Sequence, residues 1–337
     1  MSSFIDGLPK AELHLHLEGT LEPELKFELA ARNGLDLPYD SVEEMRTAYD
    51  FDDLPSFLAV YYEGMGVLQR EADFHDLAMA YFRKARSQGV AYAEVFFDPQ
   101  AHTTRGVPFE AVIDGFQRAR DEAAETLGLR TQLIMCFLRD LPAESAMETL
   151  ERSLPHRDRI IGVGLDSDEK GNPPVKFQDV FARARSEGYR LTMHCDVDQE
   201  DSLEHIRQCL NEIRVERIDH GVNCLDDDSL TGEIRDRGLG LTVCPISNSY
   251  VSDGLKADEV KAMLDRDMLV TINSDDPAYF AGYMNENLRA VQQAANLSRD
   301  EVVRLARNAF AIAWLDERDR DEHLRAVDEY VAGAATP

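Results

Sequence analysis

Histidine and aspartate side chains stand near the ends of several apolar runs in this chain. His14 and His16 lie in ELHLHL, His194 lies in YRLTMHC, and Asp275 ends LVTINSD. A strand alternates its faces with a period of two, so His14 and His16 must project to one side, which Glu12 and Glu18 would share. Three neutral imidazoles and one carboxylate are typical of a catalytic zinc site that keeps one position open. The sequence therefore predicts a zinc ion held by these four residues.

Other polar groups near the predicted ligands could perform acid and base chemistry. His220, in ERIDHGV, is predicted to orient a water molecule or to move its proton, since zinc lowers the pKa of a bound water to about 7. Asp275 could also accept a proton, and Asp276 is free to bind substrate. The alternative for residues 274–276 is a helix cap, which aspartate forms well.

The number of metal ions is predicted from the fourth apolar run. Binuclear sites of this kind need a bridging carboxylate or modified lysine at the end of that strand, where this chain carries Leu165 and Asp166. We therefore expect one zinc ion per chain.

Short β-branched or aliphatic runs alternate with stretches of helical periodicity, such as 108–128 and 177–188. The runs cover residues 12–17, 91–97, 131–138, 160–165, 189–195, 216–222, 239–245 and 269–275. Strands that alternate with helices indicate parallel βαβ units, and eight of them indicate a closed (β/α)8 barrel. We expect one such domain over residues 1–337. The C-terminal strand ends of a barrel converge on one face, so the candidate ligands from distant runs can meet there.

A long segment, roughly residues 20–90, separates the first two runs and is predicted to be a helical insertion within the barrel. Its part at 51–68, FDDLPSFLAVYYEGMGVL, is rich in apolar and aromatic side chains. These side chains either pack beneath a loop or form a lid over a flat apolar ligand, and the sequence leaves both alternatives open. The tail at 332–337 is expected to fray.

The charge of the chain limits its partners. It has 36 basic and 64 acidic residues, a formal net charge of −28, which disfavours nucleic acids and anionic membranes. The five cysteines show no CxxC spacing and indicate a reducing environment. No run approaches the roughly 18 apolar residues of a membrane span. We expect a cytoplasmic protein with a small-molecule substrate, and its oligomeric state, a homo-oligomer included, stays open.

The motifs around these residues resemble those of a known family. They are KAELHLHLEG, the histidine of TMHC, RIDHGV, LTVCPISN and TINSDDPAYF, and together they resemble the adenosine deaminase family of the amidohydrolase superfamily over nearly the whole chain. The resemblance implies a (β/α)8 barrel and a single zinc held by the four ligands named above. It also implies that His220 is catalytic and that Asp276 bonds to a purine nitrogen.

Two segments resemble the adenine deaminase branch more than the nucleoside enzymes. Glu18 stands where adenosine-specific members carry a shorter aspartate that contacts the ribose, so its side chain would fill ribose space. Ser167, in GVGLDSDEK, falls near the position that contacts the purine ring edge. The resemblance therefore implies that Glu18 and Ser167 bind substrate and that a free base is favoured over its nucleoside.

One position departs from the family pattern. The fifth strand of the family ends with histidine, alanine, glycine and a glutamate that protonates the ring, whereas this chain reads HCDVD, with Val197 at the position of the glutamate. A neighbouring aspartate, Asp196 or Asp198, is predicted to replace that acid. Asp198 is slightly preferred because it lies beyond the strand end, and Glu200 is the next candidate.

The leading hypothesis is zinc-dependent hydrolytic deamination of a 6-aminopurine base. The substrate is adenine, giving hypoxanthine and ammonia, or an N6-substituted adenine, for which the altered acid leaves room. Deamination of adenosine and hydrolysis of another heterocycle or amide are alternatives. A non-catalytic purine- or metal-binding relative is a further alternative from a different class.

Overall fold

The computed structural model describes residues 1–47, 49, 51 and 53–334. Eight parallel strands follow one another in chain order around a barrel, which confirms the predicted (β/α)8 fold. The strands are β1 (Lys10–Glu12), β2 (Val90–Phe97), β3 (Arg130–Leu138), β4 (Ile160–Asp166), β5 (Arg190–Cys195), β6 (Arg217–His220), β7 (Gly240–Val243) and β8 (Leu269–Ile272).

Helices between the strands form the outer layer. They are α1 (Ser2–Gly7), α2 (Pro23–Asn33), α3 (Val42–Thr47), α4 (Leu54–Gly64), α5 (Glu71–Ser87), α6 (Pro99–Thr103), α7 (Phe109–Leu127), α8 (Ala143–Ser153), α9 (Gln178–Ser186), α10 (Ser202–Gln208), α11 (Asp228–Asp236), α12 (Pro245–Val251), α13 (Ala257–Asp265), α14 (Pro277–Phe280), α15 (Met284–Ala294), α16 (Arg299–Ile312) and α17 (Glu317–Gly333). Helices α7 and α9 match the two periodic stretches read from the sequence. None of the helices within the described residues is long and apolar enough to cross a membrane.

The predicted helical insertion is present between β1 and β2. Helices α2 to α5 occupy most of residues 20–90, and a 3₁₀ turn, Met65–Val67, joins α4 to α5. Helix α4 begins with a capping box in which the Asp53 side chain accepts from the Ser56 amide. The tail predicted to fray begins at residue 332. Helix α17 extends into it as far as Gly333, and residues 335–337 lie outside the described residues.

The first run is shorter as a regular strand than the sequence predicts. Strand β1 ends at Glu12, and the chain then continues through single bridges, Leu15 to Asp275 and His16 to Phe96. Glu18 begins a 3₁₀ turn, which ends the period of two. The polar side shared by the two histidines therefore does not extend as predicted, because Glu12 instead accepts hydrogen bonds from Tyr81 and Ser274.

The barrel closes between its last and first strands through the backbone. The Asp275 amide donates to the His14 carbonyl (3.1 Å), and the His16 amide donates to the Asp275 carbonyl (3.0 Å). The side-chain oxygen of Asn273 accepts from the Leu13 amide at 2.8 Å. Closure thus brings candidate ligands from the two ends of the chain into adjacent positions.

The tightness of the barrel wall predicts the effect of adding one methyl group at Gly162 in β4. A Cβ there would lie 2.4 Å from Trp314 Cζ3 and 2.8 Å from the Arg190 carbonyl oxygen, and the backbone cannot retreat cheaply. We expect Gly162→Ala to lower the free energy of unfolding by about 1–3 kcal/mol in chemical denaturation. The control is Gly232→Ala in α11, where a Cβ meets no atom within 4 Å. That change should raise the free energy of unfolding by about 0.5–1 kcal/mol, and equal losses in both variants would contradict the close packing.

Candidate active site

A cavity opens at the C-terminal ends of the strands. Polar side chains from the strand ends form its floor, and apolar and aromatic side chains form its walls. Of the residues singled out in the sequence, it is lined by His16, Ser167, His194, Asp196, Val197, His220, Asp275 and Asp276. The barrel therefore brings most of the predicted site residues together, whereas Glu18 and Asp198 are not part of this wall.

The four predicted metal ligands converge at the floor of the cavity. His16 Nε2 lies 3.1 Å from His194 Nε2 and 3.5 Å from Asp275 Oδ1, and His14 Nε2 lies 3.2 Å from the same oxygen. One donor atom from each of the four residues lies within 4.8 Å of the others. His14 Nε2 is buried without a hydrogen-bond partner. A group of three imidazoles and one carboxylate in this arrangement fits a divalent metal such as zinc.

The protonation states of His16, His194 and Asp275 suit metal binding, whereas the Asp275 charge, acting against burial, raises the pKa of His14. Burial lowers the pKa of His16 to about 3 and that of His194 well below its ordinary value. For Asp275, burial opposes ionisation, yet the adjacent imidazoles, His14 first, hold its pKa well below the usual range. At neutral pH His16 and His194 thus keep free lone pairs and Asp275 is an anion, which are the forms that coordinate metals.

Three residues that line the cavity have strained backbone conformations. Ser167, His220 and Asp275 have φ values of 75°, 59° and 64°, in the left-handed region that non-glycine residues seldom adopt. Such conformations persist where the surrounding structure enforces them, and they often occur at functional sites.

His220 and Asp196 form a pair beside the ligand cluster. His220 Nε2 lies 3.4 Å from Asp196 Oδ1 and 3.8 Å from Asp275 Oδ2. Burial lowers the pKa of His220 to about 4, so its imidazole is neutral and can accept a proton. Burial, with the charge of Glu169 nearby, raises the pKa of Asp196 well above its ordinary value. A neutral base and a protonated acid therefore stand next to each other in the cavity.

A buried network holds the segment that carries Asp196. The Asp196 amide donates to Glu169 Oε2 at 2.7 Å, and His205 Nδ1 lies 2.5 Å from the other oxygen of Glu169. Arg139 donates to the His194 carbonyl at 3.0 Å and lies 3.5 Å from Glu169. Neither Glu169 nor Arg139 was assigned from the sequence, where the available signal was that Arg139 directly follows β3 and Glu169 lies shortly after β4.

The structure reverses the slight preference for Asp198 as the acid. Its carboxylate lies 2.7 Å from Lys256 Nζ and 3.1 Å from the Asn223 amide nitrogen, and its side chain is 40% exposed. The left-handed turn at Asp198 directs the side chain toward these partners and away from the cavity. Asp196, still at the strand end, is the aspartate that reaches His220. Glu200 is also absent from the cavity wall.

Glu18 occupies a different place from the one predicted. It is fully buried, accepts from the Asp98 amide (3.2 Å), and lies 2.9 Å from His102 Nε2. The 3₁₀ turn that begins at Glu18 aims its carboxylate into the protein, so direct contact with substrate has no support in the geometry. Its neighbour Gly19 is constrained too, because a Cβ there would lie 2.0 Å from Asp276 Oδ1.

Two carboxyl groups that the sequence analysis did not assign to the substrate site face the cavity instead. Asp98 follows β2, and Asp166 ends β4. Burial raises the pKa of Asp98 well above its ordinary value, and it raises the pKa of Asp166 to about 7. Asp166 Oδ2 lies 3.4 Å from His16 Nδ1. Their position at the ends of two predicted strands was the available signal.

The insertion contributes one wall of the cavity through α4. Its lining side chains are Leu54, Phe57, Leu58, Tyr61 and Tyr62. Phe57 and Tyr61 are 4% and 3% exposed, so they pack against the core and face the cavity at once. The aromatic segment thus packs in the core and also lines the cavity, and its role as a lid stays a prediction.

Comparison with known proteins agrees with the geometry of the site. The family model described as adenosine deaminase matches residues 9–330. The chain belongs to the adenosine deaminase family. This confirms the resemblance read from the motifs and the prediction of a hydrolytic deaminase.

Individual relatives of this deaminase align over almost their full length. It is 53% identical to an uncharacterized deaminase from Schizosaccharomyces pombe, covering 98% of this chain and 97% of that protein. It is also 53% identical to an adenine deaminase from Rhodospirillum rubrum, covering 96% and 97%. The crystal structure of adenine deaminase from Arthrobacter aurescens is 42% identical with a TM-score of 0.93, covering 96% and 99%. The fold is shared with a zinc-bound amidohydrolase from Burkholderia ambifaria (22% identical, TM-score 0.88, covering 100% and 95%).

The site geometry predicts different losses for two histidine variants of this deaminase. His16→Ala should lose both bound metal and activity, because it removes a donor at the centre of the cluster. His220→Ala should keep the metal and lose rate, since its ring is not among the four predicted ligands. Metal analysis of the purified proteins and ammonia release measure these outcomes. His75→Ala, outside the cavity, is the control, and metal loss in His220→Ala would contradict the assignment.

Proposed function

We propose that this deaminase hydrolyses adenine to hypoxanthine and ammonia at a site with one zinc ion. The observation that carries this proposal is the meeting of His14, His16, His194 and Asp275 beside His220 and Asp196 in one cavity. Adenine deaminases at 53% and 42% identity support the substrate. The zinc bound in the Burkholderia ambifaria amidohydrolase supports the metal.

The roles of the residues follow from the chemistry of hydrolytic deamination. Zinc bound at the four ligands would lower the pKa of water and so supply the nucleophile near neutral pH. Neutral His220 accepts a proton from the attacking water. The protonated carboxyl of Asp196 donates to a ring nitrogen as the amino-bearing carbon becomes tetrahedral. His220 then passes its proton to the departing amine and the hydroxyl proton of the tetrahedral carbon returns to Asp196, so ammonia leaves and the carbonyl of hypoxanthine forms.

Asp276 is proposed to orient the purine. It lines the cavity, and its Oδ1 atom is buried without a hydrogen-bond partner. Burial and the adjacent Asp275 charge raise the pKa of Asp276 well above its ordinary value. A protonated carboxyl there can donate to a ring nitrogen of the substrate. Ser167 also lines the cavity, and it is proposed to contact the edge of the purine ring.

An N6-substituted adenine is a second candidate substrate, favoured by one observation. Val197 replaces the glutamate of the family and, like Val251, lines the cavity. An apolar surface at this place can accommodate an alkyl group on the amine. The leaving group would then be an amine in place of ammonia, with the same roles for the catalytic residues.

The substrate proposal predicts the outcome of a deamination screen. Adenine, adenosine and N6-substituted adenines are compared by kcat/KM, with absorbance reporting hypoxanthine or inosine. We expect the kcat/KM of a free base to exceed that of adenosine, because relatives at 53% and 42% identity are adenine deaminases. A higher kcat/KM for adenosine than for every base would disprove the preference, and no turnover of any compound would favour the non-catalytic alternative.

The acid assignment predicts unequal effects of two matched variants. Asp196→Asn should lower kcat by about 10²-fold or more, because an amide cannot protonate the ring. Asp198→Asn should stay close to the wild type, since its carboxylate pairs with Lys256 outside the cavity. Both variants should retain their zinc. A large loss in Asp198→Asn with little change in Asp196→Asn would show that the loop rearranges to use Asp198.

A further inference from the structure

A buried aspartate lies beneath two of the proposed metal ligands. Asp219 is in β6, has no exposed surface, and is not part of the cavity wall. Its Oδ1 accepts from the Thr242 hydroxyl at 2.9 Å, and its Oδ2 accepts from the Thr192 hydroxyl at 2.7 Å. It is part of the RIDHGV motif, but the mechanism above gives it no role.

The bond to Thr242 determines how that threonine meets His14. A hydroxyl has one hydrogen, so when Thr242 donates it to Asp219, the Thr242 oxygen can act only as an acceptor toward His14 Nδ1, 3.0 Å away. The Thr242 carbonyl, 3.2 Å from the same nitrogen, is also an acceptor. His14 therefore carries a hydrogen on Nδ1, which leaves Nε2, 3.2 Å from Asp275 Oδ1, as its atom that can coordinate a metal.

The second ligand, His194, faces Asp219 directly. Its Nδ1 lies 3.6 Å from Asp219 Oδ2 and has no hydrogen-bond partner among the residues that the structure describes. The negative charge favours a hydrogen on Nδ1 and leaves Nε2 free to face His16. One carboxylate thus acts on both histidines, through a hydroxyl on one side and through space on the other.

A buried cation, Arg217, lies close to Asp219. Arg217 Nε lies 3.8 Å from Asp219 Oδ1, while its Nη1 is 2.5 Å from Glu94 and its guanidinium lies over the Trp314 ring. These residues extend from the floor of the barrel to the ligand cluster. Without Arg217, an anion at Asp219 would be buried at high cost.

We propose that Asp219 is a positioning residue that holds His14 and His194 in the tautomer and orientation that bind zinc. The inference rests on the zinc site proposed above and adds the residue that prepares two of its ligands before the metal arrives. Carboxylates that orient ligating histidines typically change metal affinity by about 10- to 100-fold when they are removed.

The test compares zinc affinity among three variants by chelator competition. Thr242→Val removes the hydroxyl that links Asp219 to His14, and Asp219→Asn removes the charge. We expect both to bind zinc about 10- to 100-fold more weakly than the wild type. Thr192→Val is the matched control, because Thr192 also donates to Asp219 but appears in no bond to a proposed ligand. Its affinity should stay near wild type.

Thermal unfolding of the metal-free proteins distinguishes a loss of ligand positioning from a loss of fold stability. If Asp219→Asn does not fold, the comparison of Thr242→Val with Thr192→Val still decides. Wild-type affinity in Thr242→Val, or an equal loss in Thr192→Val, would overturn the proposal. His16→Ala tests the zinc site independently: if that variant retains zinc, the site itself is wrong, whereas zinc loss there with unchanged affinity in Thr242→Val refutes only the positioning role.

Discussion

Closure of the barrel and construction of the site depend on the same two backbone hydrogen bonds. They join Asp275 to His14 and to His16, and they tie the segment after the last strand to the segment after the first. Because the bonds run through the backbone, the three side chains have little freedom to separate. The left-handed φ of Asp275 is maintained within this closure. A change that opened the barrel at this seam would therefore also disperse the ligands.

Burial gives chemically identical carboxyl groups different states within one cavity. Asp275 remains an anion because imidazoles surround it, whereas burial raises the pKa values of Asp196 and Asp276 well above their ordinary range. The local charge partners decide the difference, since all three groups are withdrawn from water. Aspartate alone can thus supply a metal ligand, a proton donor and a group that orients the substrate.

In the proposed mechanism, Val197 replaces the glutamate of the family and the acid moves by one residue along the chain to Asp196. Glu169 holds the segment that carries Asp196, because it contacts the Asp196 amide and His205. Arg139 fixes the neighbouring His194 carbonyl. These supports come from β3, β4 and the helix after β5, so the altered motif depends on side chains well outside it.

Local sequence patterns were sufficient for the eight strands, the helical insertion and the group of four candidate ligands. Strand periodicity and apolar runs are local properties, and histidine pairs or adjacent aspartates retain their chemical meaning without coordinates. The sequence could not separate Asp196 from Asp198, because one left-handed turn decides which carboxylate faces the cavity. It also placed Glu18 beside the substrate, whereas a 3₁₀ turn directs it to His102. Asp98, Asp219 and Glu169 gain their positions from contacts between distant strands, and such contacts exist only once the barrel has closed.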